Sequence, residues 1–373
     1  MKPVVIHLVE NFLQRSEVFI YNYVSSHVEW DPVVLCRFTA NENEFPVPRR
    51  LLLHAPITKR DPAWWLNQAA GKLTGRLLWH GRVEAILREV EPSVIHAHFG
   101  QMGYAILPVK RRLSIPLVTT FYGYDMSVLP RLPRWPARLA QLFREGDLFL
   151  AEGPCMKQRL IELGAPAEKV RIQRIAIHVD RYPRWQPERN GTPVVLFAGR
   201  FAEKKGLPAA LEAFREVRRR GQRVRLRIIG DGEQRGAAER FVTENNLGDC
   251  VEFLGMVPHA EVMNQLKRAS VFIQPSRTAG NGDSEGGAPT ILLEAQVVGV
   301  PLVTTRHADI PNVAPAGRGI FLSKETDTAQ LAEDLAQALR SGEGCDPSFV
   351  RNEHSVAKEI LNLEAHYHEL AQA

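Results

Sequence analysis

Short apolar, β-branched runs alternate with stretches of helical period along this chain, and they do so in two successive series. Such alternation marks parallel sheets built from βαβ units, in which each strand is buried on both faces and each crossover is a helix. The first series predicts strands over 4–9, 32–36, 94–98, 117–121 and 148–151, with the clearest helical stretch over 64–90. The second predicts strands over 194–198, 225–230, 251–254, 271–274 and 301–304, with helices near 208–220, 234–246, 259–268, 290–298 and 327–340. Residues 177–192 carry Pro183, Pro187, Asn190 and Gly191 and little periodicity, as a linker does. The expected fold is α/β, with doubly wound domains over 1–176 and 193–350. An amphipathic helix within 351–373 either finishes the second domain or crosses back to the first. At 373 residues the chain exceeds one ordinary core and suffices for two.

Composition removes several classes. Glu10 and Asn11 end the first apolar run too early for a secretory signal, and no stretch reaches the roughly 18 to 20 apolar residues that cross a bilayer. Cys36, Cys155, Cys250 and Cys345 stand singly, without CxxC or metal-ligand spacing, and read as free thiols of a reducing compartment; the expected location is the cytoplasm. Residues 1–180 hold 23 Lys and Arg against 17 Asp and Glu, whereas 181–373 hold 24 against 25. A basic half of this kind either forms a solvated face or attracts an anionic membrane or a phosphorylated acceptor. A nucleic-acid partner is not expected, because no helix-turn-helix, zinc-finger or aromatic-basic signature accompanies the charge. Trp64 and Trp65, set among Lys59, Arg60, Lys72, Arg76 and Arg82, suit a lipid interface. With Leu66, Leu73, Leu77 and Leu78 at helical spacing, the same stretch suits the core face of a helix equally well.

Ligands of doubly wound sheets bind beyond the carboxyl ends of the strands, so the chemistry is expected in loops that follow strands. After 194–198 comes Gly199-Arg-Phe-Ala-Glu-Lys-Lys-Gly206, where Gly199 permits a close turn and Arg200 and Lys205 suit a diphosphate, the first as a planar fork and the second as a point charge. A solvated basic turn is the plain alternative. Some 80 residues on, a Gly-rich turn from Glu285 leads into a helix whose free N–H groups suit an anion. Glu285 and Glu294 flank that helix start, and a carboxylate accepts hydrogen bonds from the hydroxyl pairs of a sugar or ribose. The plain alternative for Glu294 is a solvated carboxylate on a helix surface.

These paired segments resemble retaining glycosyltransferases of family 4, which have the GT-B fold of two Rossmann-like domains facing across a cleft. The resemblance also runs through His96-Ala-His-Phe-Gly100, Thr119-Thr-Phe-Tyr-Gly-Tyr-Asp125, Gly153-Pro-Cys-Met-Lys157, Ile229-Gly-Asp-Gly-Glu233 and Phe253-Leu-Gly255. It implies that Arg200 and Lys205 neutralise a donor diphosphate, that Glu285 contacts donor-sugar hydroxyls and that Glu294 holds the ribose. It further implies that backbone groups of Gly286, Gly287, Ala288 and Pro289 meet the phosphates, beside Gly199, and that Leu254, Met256 and Val257 line the base pocket. The partners so implied are a nucleotide-sugar donor and a saccharide acceptor, lipid-linked in polysaccharide assembly. No cofactor or metal is expected, since Arg200, Lys205 and a helix start supply the charge that a diphosphate needs.

The sequence departs from the family at two places. Eight residues, not the usual seven, separate Glu285 from Glu294, and Tyr122 stands where many members have a His contacting donor sugar or phosphate. Tyr donates a hydrogen bond but stays neutral at pH 7. Residues 11–20 resemble a Ser-Glu-x-Phe-Ile element of polysaccharide-assembly members, so Ser16 and Glu17 are candidates for acceptor-side contacts, or else a helix cap with an N-terminal acid. Asp125 is a further candidate for an acceptor hydroxyl. His96 and His98 end a strand, where a satisfied structural histidine is the plainer expectation. A non-catalytic sugar-nucleotide binder, and an epimerase or phosphorylase of the same architecture, stay open as alternatives. A dinucleotide oxidoreductase does not, because no GxGxxG follows either first strand.

Overall fold

Apolar runs become strands buried on both faces. The computed structural model describes residues 2–13, 17–41, 43, 45–47, 49–52, 78–188 and 191–372. Ser16 and the tryptophan-bearing basic stretch over 59–77 lie outside the described residues.

The chain divides into two units: Met1–Glu152, Lys157–Ala176 and Val356–Ala373 form the first, and Gly153–Met156 with Ile177–Ser355 form the second. The first holds a seven-stranded sheet of β1 (Val4–Phe12), β2 (Asp31–Thr39), β3 (Arg50–Leu52), β4 (Val94–His98), β5 (Leu117–Thr120), β6 (Leu148–Ala151) and β7 (Val170–Ile172). Its order is β3-β2-β1-β4-β5-β6-β7, and every described pairing is parallel. β1 runs three residues beyond the apolar stretch because Asn11 and Phe12 go on pairing with Phe38 and Thr39 of β2. The last helix, Val356–Gln372, turns Val356, Ile360, Leu363 and Tyr367 onto Val5, Val94, Val118 and Leu150 of this sheet. That spacing of four, three and four residues lays one apolar stripe along the helix.

The second unit holds β8 (Val194–Ala198), β9 (Arg225–Ile229), β10 (Val251–Gly255), β11 (Val271–Gln274), β12 (Leu302–Thr305) and β13 (Ile320–Ser323), in the order β10-β9-β8-β11-β12-β13 and all parallel. Side-chain parity shows the two layers. Val195 and Phe197 face Leu211, Phe214 and Leu335 on one side of the sheet, while Leu196 and Ala198 face Leu266, Leu292 and Ala295 on the other. Burial on both sides is why these strands read as continuous apolar runs rather than alternating ones.

Candidate functional site

In the second unit the strand order reverses between β8 and β11, so the loops following these strands part from one another and leave a crevice. Close backbone approach fixes the first of these loops. Gly206 has φ +73 and a Cβ there would lie 1.9 Å from the Pro275 carbonyl oxygen. Gly230 has φ +130 and a Cβ there would lie 2.0 Å from the carbonyl oxygen of Gly199. Only glycine meets both conditions, so the 199–206 loop is held between the turns that follow β9 and β11.

That loop carries three cations in different states. Arg200 is exposed and its guanidinium has no ion-pair partner among the described residues. Lys205 Nζ lies 2.8 Å from Glu285 Oε2, whose other oxygen accepts from Ser276 Oγ at 3.0 Å. Lys204 is buried instead, bonding Asp283 Oδ1 and the Ser284 carbonyl, each at 3.0 Å. Burial works against a charged Glu285, but the charges of Lys205 and Lys204 and the bonds from Lys205 and Ser276 outweigh it and hold the carboxyl below its ordinary range. Glu285 is therefore an ionised acceptor at the mouth of the crevice.

His307 sets the backbone behind it. Its Nδ1 lies 2.8 Å from Glu325 Oε1, and its Nε2 lies 3.2 Å from both the Glu285 amide and Ser284 Oγ. An ionised Glu325 requires the proton on Nδ1, which leaves Nε2 free to accept both bonds. Gly286, Gly287, Ala288 and Pro289 follow and lead into the helix Thr290–Val298, whose N-terminus no side chain caps. The Leu292 amide bonds the Pro289 carbonyl at 3.0 Å, which leaves those of Thr290 and Ile291 as donors for an anion.

Glu294, on that helix, is buried rather than solvated. It accepts from His259 Nε2 at 2.8 Å and from Tyr182 OH at 3.2 Å. The bond to Glu294 raises the His259 pKa, against the opposing effect of burial, and burial beside Glu294 raises that of Tyr182. Leu254 and Val257 pack half-buried on the core below, and Met256 stands 65% exposed at the end of β10, an apolar surface available to a planar base.

In the first unit the order reverses between β1 and β4, and the side chains gathered there are histidines. His7 Nδ1 lies 3.0 Å from His98 Nε2, His7 Nε2 lies 2.9 Å from His27 Nε2, and His98 Nδ1 lies 2.8 Å from Tyr122 OH. His96 bonds Tyr367 OH and Thr120 Oγ1. Burial pushes the His98 pKa down to about 3 and those of His7 and His96 well below the ordinary value, so these rings are neutral. Their nitrogens come within 4.8 Å of one another, the reach of a metal site, yet each ring nitrogen of the three already has a hydrogen-bond partner.

Asp125, expected to face an acceptor hydroxyl, is fully buried. Its Oδ2 accepts from the Gly100 amide at 2.7 Å and its Oδ1 from the Tyr122 amide at 2.6 Å. Burial raises its pKa to about 7 against the pull of those amides. It ties the loop after β4 to the loop after β5, and so acts on Tyr122 through the backbone. Glu17 stands at the N-cap of Val18–Val24 without capping it through its side chain.

Local sequence carries the loops but not these pairs. Ser276, His259, Tyr182, His307 and Glu325 escaped the sequence reading because each meets its partner across nine to 112 residues and no fixed local spacing announces it.

Two family descriptions match the chain in tandem: "Glycosyltransferase Family 4" over residues 17–181 and "Glycosyl transferases group 1" over 180–347. A protein named for colanic acid biosynthesis, the WcaL glycosyltransferase of Salmonella typhimurium, is 33% identical over 283 residues, covering 75% of this chain and 69% of its own. The amylovoran biosynthesis glycosyltransferase AmsK of Erwinia amylovora is 30% identical over 306 residues, covering 81% of this chain and 74% of its own. Among solved structures, HepE of Anabaena in complex with UDP and glucose superposes with a TM-score of 0.72 at 14% identity, covering 98% of this chain and 100% of that one.

Proposed function

The chain belongs to glycosyltransferase family 4 and is a GT-B glycosyltransferase, and from that premise we propose that it is a retaining enzyme that moves a sugar from a nucleoside-diphosphate donor to a saccharide hydroxyl. The observation that supports this reading best is the loop after β8, where exposed Arg200 and the Lys205–Glu285 pair stand beside the uncapped helix start at Thr290. As the sugar–oxygen bond breaks, negative charge builds on the departing diphosphate. Arg200, Lys205 and the amides of Gly287, Ala288 and Thr290 stabilise that charge, which is where binding accelerates a reaction rather than merely tightening a complex. Glu285, ionised and oriented by Lys205 and Ser276, accepts from donor-sugar hydroxyls, and the diphosphate oxygen takes the acceptor proton. Glu294 takes the ribose, oriented by His259 and Tyr182.

A thermal-shift series with UDP-, GDP-, TDP- and ADP-sugars tests the donor, because a ligand that binds the folded state raises its melting temperature. One sugar nucleotide is expected to stand out. Glu294→Ala is expected to weaken that ligand and its free nucleoside diphosphate alike, by about tenfold, with turnover at saturation little changed, since a ribose contact serves ground and transition states equally. Unchanged affinity for the free diphosphate would move the ribose contact elsewhere.

The two relatives are named for colanic acid and amylovoran biosynthesis, and this supports a lipid-linked saccharide of cell-surface polysaccharide synthesis as the acceptor. No helix among the described residues is long and apolar enough to cross a membrane. The acceptor is then reached by peripheral docking of the basic first 180 residues on the cytoplasmic membrane face, each Lys or Arg near an anionic surface adding about 1 kcal/mol. Co-sedimentation at low salt with anionic vesicles but not neutral ones is the expected result; equal recovery with both leaves the basic half a solvated face.

A further inference from the structure

Beyond the loop after β5 the chain carries one sign of charge. Residues 126–144 hold four arginines, Arg131, Arg134, Arg138 and Arg144, and no Asp or Glu. Within them Pro130-Arg-Leu and Pro133-Arg-Trp stand in tandem before Pro136. The proline rings fix φ at three of these seven positions, so the segment presents its side chains with little freedom left to lose on binding. It is anchored by the helix Trp135–Glu145, which buries Leu139, Leu142 and Phe143 in the first unit. The opposite side faces out: Arg131, Leu132, Pro133, Arg134, Pro136 and Ala137 are all exposed, Leu132 at 37%.

Two details distinguish this surface from a solvated basic turn. Arg134 has φ +72, in the left-handed region that glycine enters without strain and an arginine does not, and neither Arg134 nor Arg138 has an ion-pair partner among the described residues. Trp135 is half-buried against Arg138, whose guanidinium carbon lies 5.0 Å from the ring centre, and against Tyr104, edge-on at 6.0 Å. The indole N–H of Trp30 bonds His368 and that of Trp185 bonds the Ala269 carbonyl, whereas that of Trp135 has no hydrogen-bond partner among the described residues. An indole held by its ring with its N–H unspent, beside an exposed leucine and two arginines without carboxylates, suits the boundary between anionic lipid headgroups and acyl chains.

We propose that residues 131–138 are the surface by which the first unit docks on an anionic bilayer, with Leu132 and Trp135 entering its interface and Arg134 and Arg138 meeting its headgroups. This rests on the reading that the basic first 180 residues dock on a membrane, and it assigns the contact to these side chains rather than to Trp64 and Trp65. The apolar pair is small, so neither attraction suffices alone. Charge brings the segment to the surface, and burial of the leucine and the indole holds it there.

Co-sedimentation of the full chain with phosphatidylglycerol-containing and with purely phosphatidylcholine vesicles, at low salt, reads the contact. Arg134→Gly removes a charge and relieves the left-handed backbone, so it is expected to bind the anionic vesicles about fivefold more weakly with its melting temperature unchanged. Leu132→Ser, at an exposed position, should weaken binding by about as much. Brominated lipids, which quench tryptophans at the bilayer interface, are expected to dim the wild type and to lose most of that effect in Trp135→Phe. Quenching retained in Trp135→Phe, or wild-type binding in both Arg134→Gly and Leu132→Ser, overturns the assignment and leaves membrane docking to another surface. Equal recovery of the wild type with both kinds of vesicle overturns the docking reading itself. A wild-type dimer in solution that Leu132→Ser dissociates would make this face a contact between two copies of the chain, and overturns the proposal as well.

Discussion

Arg200→Ala and Lys205→Ala are each expected to lower turnover at saturating donor by about a hundredfold or more, the range seen when one preorganised contact to transition-state charge is lost, about 2.7–4 kcal/mol. The two differ in what they leave behind. Arg200 is exposed and has no ion-pair partner among the described residues, so its loss should leave the melting temperature unchanged. Lys205 neutralises the buried carboxylate of Glu285 at 2.8 Å, and its removal leaves that charge to Ser276 and Lys204. Lys205→Ala should therefore also lower the melting temperature of the free protein, and a nucleoside diphosphate should restore less of it than in the wild type. Initial rates and melting curves on both variants decide this. Wild-type turnover in both would remove the loop after β8 from the chemistry.

Tyr367→Ala is expected to cost about 3–5 kcal/mol of stability, as large-to-small changes of buried aromatic residues do, and to spend that loss on the first unit alone. Tyr367 is fully buried, meets Trp30 edge-to-face at 5.2 Å between ring centres and bonds His96. The cavity left behind would open beneath β4 and also unpair a buried imidazole nitrogen, a penalty Tyr367→Phe isolates. Hydrogen exchange read peptide by peptide should show β1, β4 and β5 exchanging faster and β8, β9 and β11 unchanged. Equal loss of protection in both sets would mean that the last helix does not belong energetically to the first unit.

Much of the fold was legible because parallel strands buried on both faces cannot hide. The runs at 94–98, 148–151, 194–198 and 271–274 became strands with those bounds, and helices 259–268 and 290–298 did likewise. The short strands β3, β7 and β13 were not legible. They are three or four residues long, β7 carries the exposed Arg171, and only pairing with β2, β6 and β12 makes them strands. The same divide runs through the site. Arg200, Lys205, Glu285 and Glu294 announce themselves because each loop and helix start is local. That Lys205 meets Glu285 across 80 residues, or that Asp125 turns inward to two amides, is decided by packing. Tyr122 was legible as a departure, and its pairing with the buried His98 Nδ1 was not, since the two meet only once β4 and β5 lie side by side.

The return of the helix Val356–Gln372 to the first unit sets an order for biogenesis on the ribosome. The second unit ends at Ser355 and has all its strands and helices before the last helix is made. The sheet of the first unit precedes the second unit, yet its cluster around Trp30, Val94 and Val118 lacks Ile360, Leu363 and Tyr367 until the second unit has been translated. At about 5–20 residues per second, the half made first waits of order ten to forty seconds, after its own sheet has emerged, for the piece that closes it. During that interval an apolar face of the nascent sheet is open to solvent, which makes it the surface on which a holding chaperone would act, and of the two units the one begun earlier is the one completed later.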